Sequence, residues 1–189
     1  MRKSDAKKLD PMFIQRWSPR AFLPDPVTDE QRAALFEAAR WSPSCYNEQP
    51  WRFVYAQSEA DHQRFVDVLV EANQAWAQAA PLLMLVFSKR HFDHNGRDND
   101  WAWFDTGAAW MALTLQANKL GLHCHAMAGF NTDGAYAACG VDPKQYQAVC
   151  AIAVGKMGPA EQLPETIRET EQPSERKTVA QFAFEGRFG

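Results

Sequence analysis

The sequence predicts a single domain in which helices and strands alternate, followed by an extended C-terminal arm. Its 189 residues, 46% of them hydrophobic, can bury one full core but are too few for two domains of ordinary size. Helical periodicity and strand-like runs alternate as far as residue 157, whereas prolines and polar residues prevail from residue 158 onward. We therefore assign residues 1–157 to the domain and residues 158–189 to the arm, as parts of one unit.

The first two helices are predicted from their N-terminal signals. Asp10 before a proline is typical of an N-cap, so a short helix should cover residues 11–17. Thr28 and Gln31 have the spacing of a capping box, which predicts a helix over residues 29–41.

Apolar patterns predict the elements in the middle of the chain. Residues 51–55 alternate in character with the period of two that a half-buried strand has. A helix should begin after Ser58 and end before Pro81, with an interruption near Asn73. Residues 82–87 are continuously apolar, as expected of an interior strand that is covered on both faces.

The longest helical pattern covers residues 101–120 and carries small residues, which suit either core packing or a dimer interface. Residues 122–130 are predicted to form a strand that runs into a turn of small residues. Asp142 before a proline predicts a short helix over residues 142–148, and a last strand is expected over residues 149–154.

Charge and composition exclude several classes of function. The net charge of −3 provides no field that attracts nucleic acid or an anionic membrane. The longest apolar run, residues 81–87, is far shorter than the ~20 residues that cross a bilayer. The basic stretch at residues 2–8 is not followed by the apolar segment of a secretory signal. We therefore expect a cytoplasmic protein that binds neither nucleic acid nor membrane.

Two pairs of histidines raise the question of a metal site. His91 and His94 lie in the polar segment 89–100, which is also a candidate lid, and His123 and His125 share one face of a predicted strand. No carboxylate or thiol set completes either pair in the sequence, and the cysteines show no C-x-x-C spacing. We therefore predict no metal site, with a histidine-based metal protein as an alternative that elemental analysis would test.

Residues 42–50 form a loop that is rich in short polar groups. Prolines at positions 43 and 50 exclude a regular helix there. The hydroxyl, thiol and carboxamide groups belong to Ser44, Cys45, Asn47 and Gln49. With tryptophan and tyrosine neighbours, they suit a planar, hydrogen-bonding, heteroaromatic ligand; an ordinary surface turn is the alternative.

A second polar cluster, Arg16-Trp17-Ser18-Pro19-Arg20, follows the first predicted helix. Guanidinium groups make planar, bidentate contacts with phosphate or carboxylate oxygens. The cluster therefore indicates an anion site, and two solvated surface arginines are the alternative.

Three separated motifs together resemble the FMN-dependent nitroreductase family. They are the cluster at residues 16–20, the stretch 43–53 with the pattern P-S-x-x-N-x-Q-P-W-x-F, and the strand and glycine-containing turn at residues 121–130. The likeness extends to the terminal stretch 185–189. By contrast, no G-x-G-x-x-G or Walker loop is present to indicate another nucleotide-binding fold.

The resemblance implies an α+β fold with three α-β-α layers around a mixed, mostly antiparallel sheet. It also implies a homodimer in which the C-terminal arms are exchanged between protomers and two FMN sites lie at the interface. The apolar end of the arm needs a place to be buried, which favours the exchange over folding back on its own domain. These apolar residues are Val179, Phe182, Phe184 and Phe188.

The resemblance assigns the cofactor-binding residues as well. Arg16, Ser18 and Arg20 would hold the phosphate, the ribityl chain and the pyrimidine edge of FMN, and Arg187 would complete the phosphate clamp. Asn73 would bind the pyrimidine end. The partner's loop would contact the ring, and the backbone amides of the glycine-containing turn would approach flavin N5 and O4. The remaining members of the set are Trp17, Pro43, Ser44, Cys45, Asn47, Gln49, Met127, Ala128 and Gly129; many relatives carry Glu in place of Ala128.

The implied activity is a ping-pong oxidoreduction in which NAD(P)H reduces FMN and an electron-poor acceptor, such as a nitroaromatic or a quinone, reoxidises it. Because the cofactor carries this chemistry, no side chain is assigned as a catalytic acid or base. A flavin-binding or flavin-storage protein with little turnover is the alternative.

Overall fold

The computed structural model describes residue 6 and residues 8–188. Residues 2–5 and 7 of the basic N-terminal stretch, and the terminal Gly189, lie outside the described residues. Within the described range the helices are α1 (Met12–Gln15), α2 (Asp29–Arg40), α3 (Glu59–Asp67), α4 (Glu71–Ala77), α5 (Ala102–Lys119), α6 (Thr132–Cys139) and α7 (Glu165–Arg168). The strands are β1 (Trp51–Tyr55), β2 (Leu82–Lys89), β3 (His123–Met127) and β4 (Tyr146–Gly155).

The four strands form one sheet in the order β1-β2-β4-β3. All three pairings among these strands are antiparallel. The mixed sheet that the resemblance implied is therefore not found in the described part of the single chain, whose sheet is antiparallel throughout. β2 lies inside the sheet, and residues 82–87 are all buried, as their continuous apolar character predicted.

Helices cover both faces of the sheet. Leu83 and Leu85 of β2 pack in a core that includes residues of α3, α4 and α6. Leu82 and Met84, which point to the other face, pack in a second core with residues of α2 and α5. The result is the expected α+β fold with three layers. No helix in the described part of the chain is both long and apolar enough to cross a membrane.

Two local predictions differ from the structure. The helix predicted over residues 142–148 is wrong, because a turn occupies residues 142–145 and β4 begins at Tyr146. The Asp142 side chain accepts from the amide of Lys144, which makes a local turn with the same sequence signal as a helix start. The interruption predicted near Asn73 lies instead at residues 68–70, between α3 and α4.

α6 was not predicted, although its boundaries carry ordinary signals. The Asn131 side chain caps the helix by accepting from the Gly134 amide at 2.8 Å. Gly140 ends it with a left-handed φ of 63°.

The arm packs on the domain at its beginning and is exposed at its end. Leu163 is buried, whereas 68% of Val179, 62% of Phe182 and 90% of Phe188 is exposed in the single chain. The apolar end of the arm therefore does not contribute to the core of its own domain.

Candidate functional site

A basic cavity of ≈ 320 Å³ lies between the segment that follows α1 and the arm. Residues from three parts of the chain meet there, namely the predicted anion cluster, β3 and the arm. The lining residues are Arg16, Trp17, Ser18, Arg20, His125, Thr170, Gln172, Ser174 and Arg176. Three guanidinium groups and several hydroxyl and amide groups therefore face one space, which is a donor set suited to an oxyanion.

Long-range contacts hold the anion cluster in place. An Nη atom of Arg16 lies 3.5 Å from the Ser18 hydroxyl. The His125 ring on β3 contacts the carbonyl oxygen of Pro19 through Nδ1 at 2.9 Å. On the arm side, Glu171 accepts hydrogen bonds from the backbone amide of Arg20. The cluster is thus fixed both to the sheet and to the arm.

The positive charge of this region comes from arginine and not from histidine. Burial lowers the pKa of His125 by more than its hydrogen bond to the Pro19 carbonyl raises it, and the nearby Arg20 guanidinium lowers it further. Burial also lowers the pKa of His123, with a smaller contribution from Arg16. Both imidazoles are therefore neutral at pH 7, and His125 can act as a neutral hydrogen-bonding group at the cavity wall.

The predicted polar loop is strained and held by hydrogen bonds. Tyr46, Asn47 and Gln49 have left-handed φ values of 52°, 56° and 49°. This conformation costs of order 1 kcal/mol or more for each residue that is not glycine. The Ser44 hydroxyl accepts from the Gln49 amide at 2.9 Å. The Cys45 amide donates to the Asp105 carboxylate at 3.0 Å, and Asp105 is only 4% exposed. These bonds impose the loop conformation before any ligand or partner arrives.

The loop is also tied to the segment at residues 89–100, the candidate lid. Glu48 accepts from Lys89 Nζ at 3.0 Å and from the backbone amide of Asp93. Within that segment His91 pairs with Asp98 at 3.2 Å. The segment is therefore an ordered turn attached to the loop. Among the described residues, no group of three or more His, Cys, Asp or Glu side chains is placed to hold a metal ion.

The small-residue turn after β3 is packed against the start of α4. The Asn73 side-chain amide donates to the Gly129 carbonyl at 2.9 Å, and the Val70 amide donates to the same carbonyl at 3.1 Å. Within the described residues, the Ala128 and Gly129 amides donate to no turn, loop or cap hydrogen bond. These two donors are therefore available to a ligand, while Asn73 supports the turn from behind.

The structure brings together some of the predicted site residues and separates others. Arg16, Trp17, Ser18 and Arg20 share the basic cavity, and Asn73 meets Gly129. Three residues of the polar loop line a separate, mainly apolar cavity of ≈ 240 Å³ that shares no lining residue with the basic one. These three are Pro43, Ser44 and Cys45, with Trp101, Phe104 and Asp105 as their neighbours. Asn47 is exposed and Gln49 is half-buried.

Two other predicted site residues line neither of these cavities in the single chain. The Met127 side chain is buried in the core at 3% exposure, so only its backbone is available to a ligand. Arg187 lies near the exposed end of the arm and does not line the basic cavity of its own chain.

Sequence reasoning missed several groups that the arm and the sheet contribute. Arg176 and Ser174 line the basic cavity from the arm, and His125 lines it from β3. The signal that was present is Ser174-Glu175-Arg176, a hydroxyl and a guanidinium two residues apart, as in the cluster at residues 16–20. Asp105 gave no such signal, because its role depends on a contact with Cys45, 60 residues away in the chain.

Comparisons with known proteins agree with this fold. The model of the Nitroreductase family matches residues 14–75 and 62–156. A solved oxidoreductase containing FMN is 41% identical, with a TM-score of 0.94 over 100% of this chain and 96% of the other.

Two curated relatives are more distant. An uncharacterised 15.4 kDa protein of Mycolicibacterium smegmatis is 36% identical over 122 residues, which are 64% of this chain and 80% of that protein. A Ralstonia nicotianae protein, provisionally named NADH dehydrogenase/NAD(P)H nitroreductase, is 26% identical over 143 residues, which are 66% of this chain and 73% of that protein.

Proposed function

Because this chain belongs to the nitroreductase family, we propose that it binds FMN and passes electrons from NAD(P)H to an electron-poor acceptor such as a nitroaromatic or a quinone. The observation that carries this proposal is the basic cavity, whose guanidinium and hydroxyl groups suit a phosphate monoester. The 41% identical structure that contains FMN supports the same cofactor. The name of the Ralstonia relative supports a nicotinamide donor.

The phosphate is assigned to Arg16, Arg20 and Arg176. These arginines line one cavity from two sides, so that an oxyanion between them can accept hydrogen bonds from several directions. Ser18 and Ser174 add hydroxyl donors at the same place. Arg176 thus takes the place in the clamp that the sequence resemblance gave to Arg187.

The ring of the cofactor is assigned to the polar loop and to the turn after β3. The Ala128 and Gly129 amides are free donors at a turn that Asn73 supports, and they suit the polar edge of a flavin. The strained loop at residues 43–49 presents its groups in a fixed conformation, which lowers the entropy that ligand binding would otherwise lose. The bound FMN would supply the redox chemistry, in which hydride is taken from the nicotinamide and electrons are returned to the acceptor.

We further propose a homodimer in which the arms are exchanged. An apolar cavity of ≈ 270 Å³ lies beside β1 and α2, lined largely by aromatic residues such as Phe36 and Phe53. β1 is an edge strand, so its free backbone groups can pair with an added strand. The exposed Phe182 and Phe184 at the end of the arm offer apolar side chains of the kind that such a cavity would bury. Phe104 of α5 is a further exposed apolar side chain that a second chain would bury if the dimer covers this face.

The experiment that tests the function is anaerobic reduction of the purified, FMN-loaded protein by NADH and by NADPH. We expect a yellow protein that bleaches with at least one of the two donors and regains its colour when a quinone or a nitroaromatic is added. Ping-pong exchange predicts parallel lines in double-reciprocal plots at several acceptor concentrations. A protein that takes up no FMN would contradict the proposal, and bound FMN that neither donor reduces within minutes would identify a flavin-storage protein.

A further inference from the structure

Glu171 carries a buried carboxylate beside the basic cavity. The proposed reaction assigns no role to this carboxylate. The Glu171 side chain is only 4% exposed. Oε1 accepts hydrogen bonds from the backbone amides of Arg20 at 2.6 Å and of Ala21 at 2.9 Å. Oε2 lies 3.7 Å from a guanidinium nitrogen of Arg20. One side chain of the arm therefore holds both the backbone and the side chain of the anion cluster.

The position of Glu171 in the arm makes this contact a link between the two walls of the cavity. The neighbouring Thr170 and Gln172 both line the cavity, and so does Arg176 a few residues later. Arg16 and Arg20 line it from the opposite wall. The Glu171 carboxylate thus links the arm, which forms one side of the cavity, to the anion cluster, which forms the other side.

The charge of Glu171 also fits the expected ligand. Three guanidinium groups line the cavity, and none of its lining residues is acidic. With the Glu171 carboxylate, which lies beside Arg20, these groups carry a net charge of +2. A phosphate monoester carries roughly −1.5 to −2 at pH 7. Glu171 and the three lining arginines together therefore approach charge neutrality when a phosphate monoester is bound, and the exposed Glu175 does not line the cavity.

From these contacts we infer that Glu171 is a positioning residue for the phosphate, through which docking of the arm and binding of the phosphate are coupled. The identity of the phosphate as that of FMN rests on the proposed function. Without the carboxylate, the backbone amides of Arg20 and Ala21, in partly buried hydrogen bonds, lose their acceptor, and the Arg20 guanidinium loses its partner. Arg176 is then no longer held opposite Arg16, and the cavity loses its shape from both sides.

Binding of FMN and of riboflavin, which has the same ring without the phosphate, tests the inference in Glu171→Ala and Glu171→Gln. We expect Glu171→Ala to weaken FMN binding at least about tenfold, the effect of losing a charged hydrogen-bond partner, and to leave riboflavin binding unchanged. Glu171→Gln keeps an oxygen that can accept from both amides and loses the partly exposed ion pair alone, so a loss of about threefold is expected. The matched control is Glu175→Gln, which removes the same charge from an exposed neighbouring position.

Several outcomes would overturn the inference. Unchanged FMN affinity in Glu171→Ala would do so, and so would equal losses for FMN and riboflavin, because these would show a general effect on folding. Tighter FMN binding by Glu171→Gln would show that the carboxylate only opposes the phosphate. If Glu171→Ala does not fold, the FMN to riboflavin ratio of Glu171→Gln decides the question. Failure of the unaltered protein to bind either flavin would refute the proposed function instead.

Discussion

The side-chain amide of Asn73 donates to the backbone carbonyl of Gly129 at 2.9 Å, and this bond joins the start of α4 to the turn after β3. A Cβ atom at position 129 would lie 2.8 Å from Asn73 Nδ2 and 2.8 Å from a methyl group of Val70. Glycine is therefore required here by the close approach of the helix. The same approach fixes the amides that we assign to the flavin ring.

We predict that Gly129→Ala lowers the free energy of unfolding by about 1–3 kcal/mol, because the new methyl group overpacks this contact. Asn73→Ala should cost about 1 kcal/mol through loss of the hydrogen bond. Urea unfolding of the two single variants and the double variant measures their coupling. Since both changes act on one contact, the costs should not add, and simple additivity would contradict this description of the turn.

The buried Asp105 carboxylate is predicted to hold the strained loop through the Cys45 amide. Asp105→Ala leaves this amide without its acceptor and should cost about 1–3 kcal/mol of stability. Asp105→Asn keeps an oxygen acceptor and should cost less. Thermal unfolding of both variants checks the order, with Asp100→Ala as a control at an exposed carboxylate five residues earlier. Equal stability of Asp105→Ala and the control would show that Asp105 does not stabilise the loop.

The exposed aromatic residues of the arm are predicted to bury themselves in a second chain. Replacing Phe182 and Phe184 together by serine should shift the protein from dimer to monomer and weaken FMN retention, because apolar area is lost from the proposed interface. Sedimentation velocity at several concentrations measures the change. Met157→Ser, at a similarly exposed position outside the end of the arm, should have no such effect. A double variant that stays dimeric with FMN bound would argue against exchange of the arms.

Alkaline pH is predicted to destabilise the fold through Cys124. Burial raises the pKa of this thiol from 9.0 to about 12. The unfolded chain therefore releases the proton near pH 9 while the native state keeps it, so stability falls as the pH rises from 9 towards 12. The contribution is about 1.4 kcal/mol per pH unit in this window. Urea unfolding at pH 8 to 11 should show a shallower decline for Cys124→Ala than for the unaltered protein, and parallel declines would contradict the shift.

Sequence reasoning succeeded where the decisive signal is local. The capping box of Thr28 and Gln31 and the apolar run of β2 specify their elements without help from distant residues. Local signals also misled, since Asp142 before a proline suits a turn as well as a helix start. There the hydrogen bond from the Lys144 amide to the Asp142 carboxylate, itself a local contact, favours the turn.

In the candidate site, too, sequence reasoning found the residues with local signals and missed those that depend on distant contacts. The cluster at residues 16–20 was found because its charged groups are neighbours in the chain. Arg176, Glu171 and Asp105 were not, because each meets the site through a contact that spans the fold; Glu171 and Arg20 are 151 residues apart. No periodicity or composition encodes such a pairing.

Equilibrium binding of FMN to the Arg176→Ala and Arg187→Ala variants tests most directly the claim that the basic cavity holds the phosphate of the cofactor. Arg176 lines that cavity, whereas Arg187 of the same chain does not. We predict that Arg176→Ala weakens FMN binding by about tenfold or more, as loss of a charge-assisted contact requires, while riboflavin binding and FMN binding by Arg187→Ala stay close to those of the unaltered protein. Loss of FMN affinity in Arg187→Ala, with full retention in Arg176→Ala, would contradict the assignment of the cavity.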